Sequence, residues 1–542
     1  MGNFAGTYTF APFATAQPGV NVTGHSYASF LLGAVNNASL SYGVPYGIRS
    51  RYFGLYAQDD WKITRKLTMN YGLRWEAQTP WYEVAGRVSE MDPTLPNPAA
   101  GGRPGALIFA GDGPGRVGGR AFRKTYLGAV GPRLGFALPT RYKHRNSCRR
   151  GIFYAPITGS NVNFQGFQSS INVSSVDAGL TPAFNIDRGW PADLIQVPPF
   201  INPTLANRQN TSLSETCRGC SGKPPRTSQW QFNLQQTVWE TLFEASYVGT
   251  AGHGILNNVL VRPNQLPTEY LRLGSLLTRP IGDPAVAAAG YSTPYPGFTG
   301  SLAQALRPFP QYQDITMLST PTGNSTYHAL LVKVEKRYSS GLQFLGAYTL
   351  SKTLTDIAFD SNGQLSPPQD QYNRRAEKSL ANIDRPQRLV LSYLYELPWG
   401  QGKPFLSQGT LAKLFGGFAV SGIHTYQSGS PLRITVPNNL PIFGGHLRPN
   451  RVDGVPIAVG PGRADFEPFN GLTGQQGDLY LNRNAFAIPA PFTLGNLPVF
   501  LPDVRGPAPW GRISRSPSGS VFGRQVPLSS ERISLMRSIE EI

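Results

Sequence analysis

Long apolar runs are missing from this chain: no stretch of 18 or more apolar residues occurs, which excludes a transmembrane helix. Cysteine is nearly absent, and Cys148, Cys217 and Cys220 are too few for a disulfide framework. Cys217-Arg218-Gly219-Cys220 is a lone C-x-x-C in a Gly/Pro-rich stretch. With no second Cys or His pair at ligand spacing, a loop disulfide or two idle thiols is expected rather than zinc. The six histidines (His25, His144, His253, His328, His424, His446) stand apart from one another, so no H-E-x-x-H pair forms. Gly429-Ser430-Pro431 lacks the second glycine of a nucleophile elbow, and Gly219-Cys220-Ser221-Gly222-Lys223 is too short for a phosphate loop. Asp59 and Asp60 are strand neighbours, whose side chains point to opposite faces and cannot flank one glycosidic bond. No catalytic, cofactor-binding or metal-ligating residue is therefore assigned. No cofactor is expected, and the chain is not read as an enzyme.

Acidic residues are also short, 31 against 49 Lys and Arg, for a formal charge of +18. The basic residues are scattered except over residues 116–150, where Arg116, Arg120, Arg123, Lys124, Arg133, Arg141, Lys143, Arg145, Arg149 and Arg150 fall. That stretch reads as a loop or a locally altered reading frame ahead of a polyanion site, and nucleic acid is not an expected partner. The start, Met1-Gly2-Asn3-Phe4-Ala5-Gly6, has neither a basic region nor an apolar run. A chain that begins partway through a longer protein is the expectation.

What the chain does contain is alternation. In Lys66–Glu76, Leu67, Met69, Tyr71, Leu73 and Trp75 share one side, and Lys66, Thr68, Asn70, Arg74 and Glu76 the other. Successive strand side chains face opposite ways, so such a run needs an apolar medium on one side and water on the other. Its length matches the ~9–11 residues that cross a bilayer as a tilted strand. Tyr52–Trp61 precedes it, with Lys62-Ile63-Thr64-Arg65 as the expected turn. The pattern returns at Trp230/Phe232/Leu234, Phe243/Ala245/Tyr247, Leu330/Val332/Val334, Phe344/Tyr348/Leu350 and Leu389/Leu391/Tyr393/Tyr395, and a further strand is expected over Phe418–Gln427. A weaker pair is expected near Tyr126–Ala137 and Gly151–Tyr154. Between them, residues 77–125, 157–225, 257–320 and 353–384 read as polar loops rich in the 60 Gly and 48 Pro. Short turns alternating with long loops are rare in soluble sandwiches but usual in outer-membrane barrels, whose short turns are periplasmic. Tyr and Trp near strand ends fit interfacial girdles.

Several stretches, in order, resemble the TonB-dependent receptors of the Oar-like group. They are Tyr52-Phe53-Gly54-Leu55-Tyr56-Ala57-Gln58-Asp59-Asp60-Trp61-Lys62 with Leu67–Arg74; Ala245-Ser246-Tyr247-Val248-Gly249 with Gly252-His253; Tyr327-His328-Ala329-Leu330; and Tyr348-Thr349-Leu350-Ser351-Lys352. Asp384-Arg385-Pro386-Gln387-Arg388, Leu397-Pro398-Trp399-Gly400 and Gln427-Ser428-Gly429-Ser430-Pro431 follow. The resemblance implies an all-β fold: a large, partial antiparallel outer-membrane β-barrel with short periplasmic turns and long extracellular loops. By length and loop rhythm it would hold about 14–18 strands. Residues 1–510 are expected to form the barrel domain, and 511–542 an unassigned, atypical tail.

The implied partners are outer-membrane lipid, a substrate of unassigned identity (a carbohydrate or another large nutrient), and the TonB complex, reached only through a plug domain that this chain lacks. The segment Leu138–Arg150 and the sequence after Arg505-Gly506-Pro507 depart from the family pattern, and a fragment or damaged reading frame is the expectation. Substrate passage or surface binding is the expected function. A secreted or surface β-rich adhesin or carbohydrate-binding protein is the alternative. A polysaccharide-degrading enzyme would need a carboxylate pair across a cleft.

Overall fold

The computed structural model describes the chain except residues 1–5, 18–22, 44, 142–143, 158–161, 176–180, 191–196, 214–222, 258, 319, 360–364, 438–444, 460–479, 507–510 and 516–542. Cys217 and Cys220 lie outside the described residues. Alternation becomes one large antiparallel sheet. Its strands are β1 (Tyr52–Thr64), β2 (Leu67–Gln78), β3 (Ala129–Arg141), β4 (His144–Tyr154), β5 (Arg226–Val238) and β6 (Thr241–Asn257), followed by β7 (Thr320–Ser339), β8 (Leu342–Thr355), β9 (Gln387–Glu396), β10 (Ala419–Gln427) and β11 (Gly511–Arg515). Each pairs with the next in sequence, and Ser379–Leu380 adds a short pairing to β8. The sheet is open, with β1 and β11 as its edges.

Four expectations change in detail. The first turn is tighter than expected: β1 runs through Ile63 and Thr64, leaving Arg65 and Lys66 between the strands. The sheet has twelve strands among the described residues rather than 14–18, because the described residues of 1–50 and 428–506 form small sheets, bridges and short helices instead of long strands. The segment that breaks the expected pattern, Leu138–Arg150, is built into β3 and β4, so Arg133, Arg141, Arg145, Arg149 and Arg150 stand in strands, not a loop. Pairing overrides pattern there: Asn146, Cys148 and Arg150 are held in register by Leu138, Phe136 and Leu134 on one side. Leu234, Phe232 and Trp230 hold them on the other. Lastly, the long loops are not merely polar. Residues 77–125 contain a hairpin of Ser89–Asn97 with Arg103–Phe109, and 257–320 contain short helical segments at Thr268–Thr278, Pro284–Ala288 and Leu302–Ala305.

Loop length sorts the two ends of the sheet. Arg65–Lys66, Trp239–Glu240 and Ser340–Gly341 make the tight turns at one end, with Trp239, Glu240, Ser340 and Gly341 in left-handed backbone. That conformation matches the strand twist in the second and third turns, whereas Arg65–Lys66 does without it beside a register shift at Lys62/Thr64. The connections of 30 residues or more leave from the other end, while the tight-turn end also carries residues 397–418 with the short helix Gly409–Phe415. All twelve of the largest fully buried side chains, from Met91 to Leu501, lie outside β1–β11. The hydrophobic core therefore sits in the loops, and the sheet itself is bare.

Candidate functional site

Register carries one face across the sheet without a break in parity, apolar except on β4, where Asn146, Cys148 and Arg150 occupy it. Leu55 opposes Trp75, and Tyr71 opposes Leu134. Further along, Phe232 opposes Tyr247, Tyr247 opposes Leu330, Val332 opposes Tyr348, and Tyr348 opposes Leu389. These rows are uncovered: Leu55 is 69% exposed and Trp61 54%. A soluble protein does not leave a patch of this extent open to water. The adhesin alternative needs a second layer over these rows, and none of the described residues supplies one. Trp61, Trp239, Tyr338 and Tyr395 mark the turn end of the sheet, as interfacial aromatics do.

The opposite face is polar. Asn233 donates through Nδ2 to Ser246 Oγ at 2.7 Å and also bonds Glu244. Lys333 lies 2.8 Å from Glu335 and 3.9 Å from Glu244. Such exposed pairs contribute little stability individually and mark a wet wall. The paired aspartates separate as their parity requires: Asp59 accepts from Tyr71 Oη at 3.1 Å on the apolar face, and Asp60 bonds Asn70 on the polar one. Neither histidine in a family-like motif meets a metal ligand set. His328 Nδ1 is 2.9 Å from Tyr247 Oη, and His253 Nδ1 is 3.3 Å from Asn324 Oδ1. Among the described residues no three His, Cys, Asp or Glu side chains gather closely enough to hold a metal ion.

Beyond the sheet, the long loops form a cap with its own core. Met91, Leu107 and Phe109 pack with Phe167, Ala206 and Leu213 and with Tyr312, Ile315 and Met317, joining three different loops. A second cluster surrounds Leu266, Leu277, Val286 and Leu302 and takes in Ala100. Polar pins fix the join. Asn97 Nδ2 donates to Gly105 O at 2.9 Å and Asn207 Oδ1 at 2.8 Å, and Tyr312 Oη donates to Gly105 O at 3.1 Å. Burial pushes the Tyr312 phenol up to about 12, so it stays a donor throughout the physiological range. Gln265 Nε2 donates to Asp370 Oδ1 at 2.9 Å, tying this unit to the next loop. Arg448 Nη1 then reaches both Glu377 oxygens at 2.9 Å, and Arg505 meets Asp384 at 2.6 Å. The outcome is a pinned surface rather than a set of independent loops. Helical spacing of Tyr270, Leu273, Leu276 and Leu277 was the signal in the sequence that could have revealed it.

Glu83 anchors the residues before β1. Burial pushes its carboxyl up, but three backbone N–H donors outweigh that and hold it below the usual carboxylate range: Gly47 at 3.0 Å, and Ala85 and Arg87 at 2.8 Å each. A depressed folded value means the stabilisation is complete above the ordinary carboxylate pKa of about 4.3 and fades as pH falls through the folded value. Hydrogen-exchange protection at Ala85 and Arg87 is expected to hold at pH 7 and drop on acidification past the ordinary carboxylate range. Glu83→Gln should lower it at pH 7 and remove most of its pH dependence, so that variant and unaltered chain converge in acid. Protection that is flat with pH in the unaltered chain contradicts this.

Several solved structures are similar at low identity. The ferripyoverdine receptor of the outer membrane of Pseudomonas aeruginosa shares 10% identity over 73% of this chain and 30% of its own, at TM-score 0.32. The alcaligin outer-membrane receptor FauA from Bordetella pertussis shares 9% over 72% and 45%, at 0.29. The ferric-catecholate import receptor Fiu from E. coli K12 shares 12% over 81% and 42%, at 0.32. The chain thus spans 30% to 45% of the length of these receptors. No curated protein matches it. The family model described as outer membrane beta barrel domain matches residues 1–511. This protein belongs to the outer membrane β-barrel domain family, and its place is the outer membrane.

Proposed function

We propose that the chain is the barrel portion of a TonB-dependent receptor of the Oar-like group, serving substrate passage or surface binding, with residues 1–510 as the barrel domain and 511–542 outside it. The observation that carries this reading is the pairing of a membrane-facing sheet with a loop cap whose core is shared among loops. A pinned cap presents fixed side chains to the exterior at a smaller ordering cost than free loops. The motifs from Tyr52–Arg74 to Gln427–Pro431 support the TonB-linked group within the wider barrel family. Energy from the inner membrane would arrive through a plug domain, and no step here is catalytic. Cap side chains would read the substrate.

A growth comparison tests the reading. Solutes whose use is impaired by deleting this gene should form a subset of those impaired by deleting the TonB complex. A solute that requires this protein but not TonB contradicts it.

A further inference from the structure

The basic stretch that departs from the loop expectation places arginines on the polar wall. Arg133 of β3 has four same-face nearest neighbours, and all are glycine. Gly131 and Gly135 flank it on its own strand, Gly72 lies opposite on β2 and Gly151 opposite on β4. This floor is bare for a reason. A Cβ at Gly131 would stand 2.5 Å from Ile152 O and one at Gly151 2.9 Å from the Phe153 ring, both too close, while one at Gly135 would make ordinary contact with Arg149 Cγ at 3.4 Å. The Arg133 guanidinium lies over the Phe153 ring, 4.7 Å from its centroid, and its Nε is buried without a hydrogen-bond partner.

Arg149 shares the same face, opposite Gly135 on one side and Gln231 on the other. Among the described residues, neither Arg133 nor Arg149 has a carboxylate within ion-pairing distance, whereas Arg74 nearby is paired with Glu76. Two unpaired guanidinium groups on adjacent strands repel one another. Leaving them unneutralised on a wall of glycines costs stability that a bound anion would return. A guanidinium fork matches the oxygens of carboxylate and phosphate alike, and the Gln229 and Gln231 amides of β5 lie on the same face to add neutral donors.

We propose that the polar wall of β3 and β4 holds an oxyanion-binding site centred on Arg133 and Arg149, which recognises the carboxylate or phosphate group of a solute entering the barrel. This rests on the barrel reading above, since the wall faces water only if the other face meets lipid. It narrows the substrate class to solutes bearing such a group.

The test is calorimetric titration of the full chain, folded in detergent micelles at low salt, with inorganic phosphate in one arm and glucuronate in the other. Single-site binding of either anion is expected, and the tighter arm identifies the source of the oxyanion. Arg133→Gln should weaken it at least tenfold. Gly135→Leu, which keeps every charge and fills the floor, should do the same, with Gly135→Ala as the milder variant if the leucine disturbs folding. Arg150→Gln, on the outward face of the same strand, should leave affinity within twofold. No binding of either anion, equal loss from Arg150→Gln, or unchanged affinity in Arg133→Gln overturns the site. Heat-modifiable migration of the folded chain, measured alongside, separates loss of this site from failure of the barrel reading.

Discussion

Val332→Arg is expected to shift the equilibrium for folding into phospholipid vesicles by about 2–4 kcal/mol toward the unfolded state, roughly 30- to 800-fold. Val332 stands on the apolar face between Ala245 and Tyr348, well inside β7. An arginine there must bring its charge into hydrocarbon or thin the bilayer around itself. Leu331, one residue earlier, faces the polar wall between Ser246 and Thr349. Leu331→Arg points into water and is expected to change stability by no more than about 0.5 kcal/mol. The contrast between neighbours removes strand propensity and expression effects from the comparison. Urea titration in vesicles reads both. Equal costs at 331 and 332 contradict the face assignment.

The second large effect is in the cap. Arg448 and Glu377 are almost fully buried, with side-chain exposures of 5% and 6%, and they meet at 2.9 Å through both carboxylate oxygens. Gln369 braces the same corner, accepting from Arg448 N at 2.8 Å and donating to Gly495 O at 2.9 Å. Removing one partner strands a charge in a low-dielectric site, at a cost of about 3–5 kcal/mol. Arg448→Met is therefore expected to open the join between the loops at 356–386 and 428–510, seen as protease cleavage while the sheet stays protected. Replacing both groups, Arg448→Met with Glu377→Leu, should recover most of the loss because no lone charge remains. A double variant as fragile as the single contradicts this account of the pair.

Strands whose two faces meet different media are easy to read. Trp230/Phe232/Leu234 and Leu330/Val332/Val334 showed their faces in the sequence because lipid and water demand opposite residues at every step. The lower half of β4 did not, since Asn146, Cys148 and Arg150 occupy outward positions that apolar residues fill elsewhere. Backbone pairing with strands on both sides decides that segment, and pairing leaves no periodicity in the sequence. The cap was hidden for a related reason. Its core joins residues more than 200 apart, such as Leu107 and Tyr312, inside stretches whose Gly and Pro content reads as loop. The Arg133 site was half visible: the basic stretch stood out, but the ring of glycines belongs to three strands and emerges only from register.

Oxygen and nickel-chelate accessibility of spin labels, placed one at a time along residues 328–335 of β7 in phospholipid vesicles, tests lipid contact most directly. Labels at 328, 330, 332 and 334 should favour oxygen, those at 329, 331, 333 and 335 the chelate, in strict alternation. Low accessibility to both reagents at the even positions would mean that protein covers those rows, and the membrane assignment would fall.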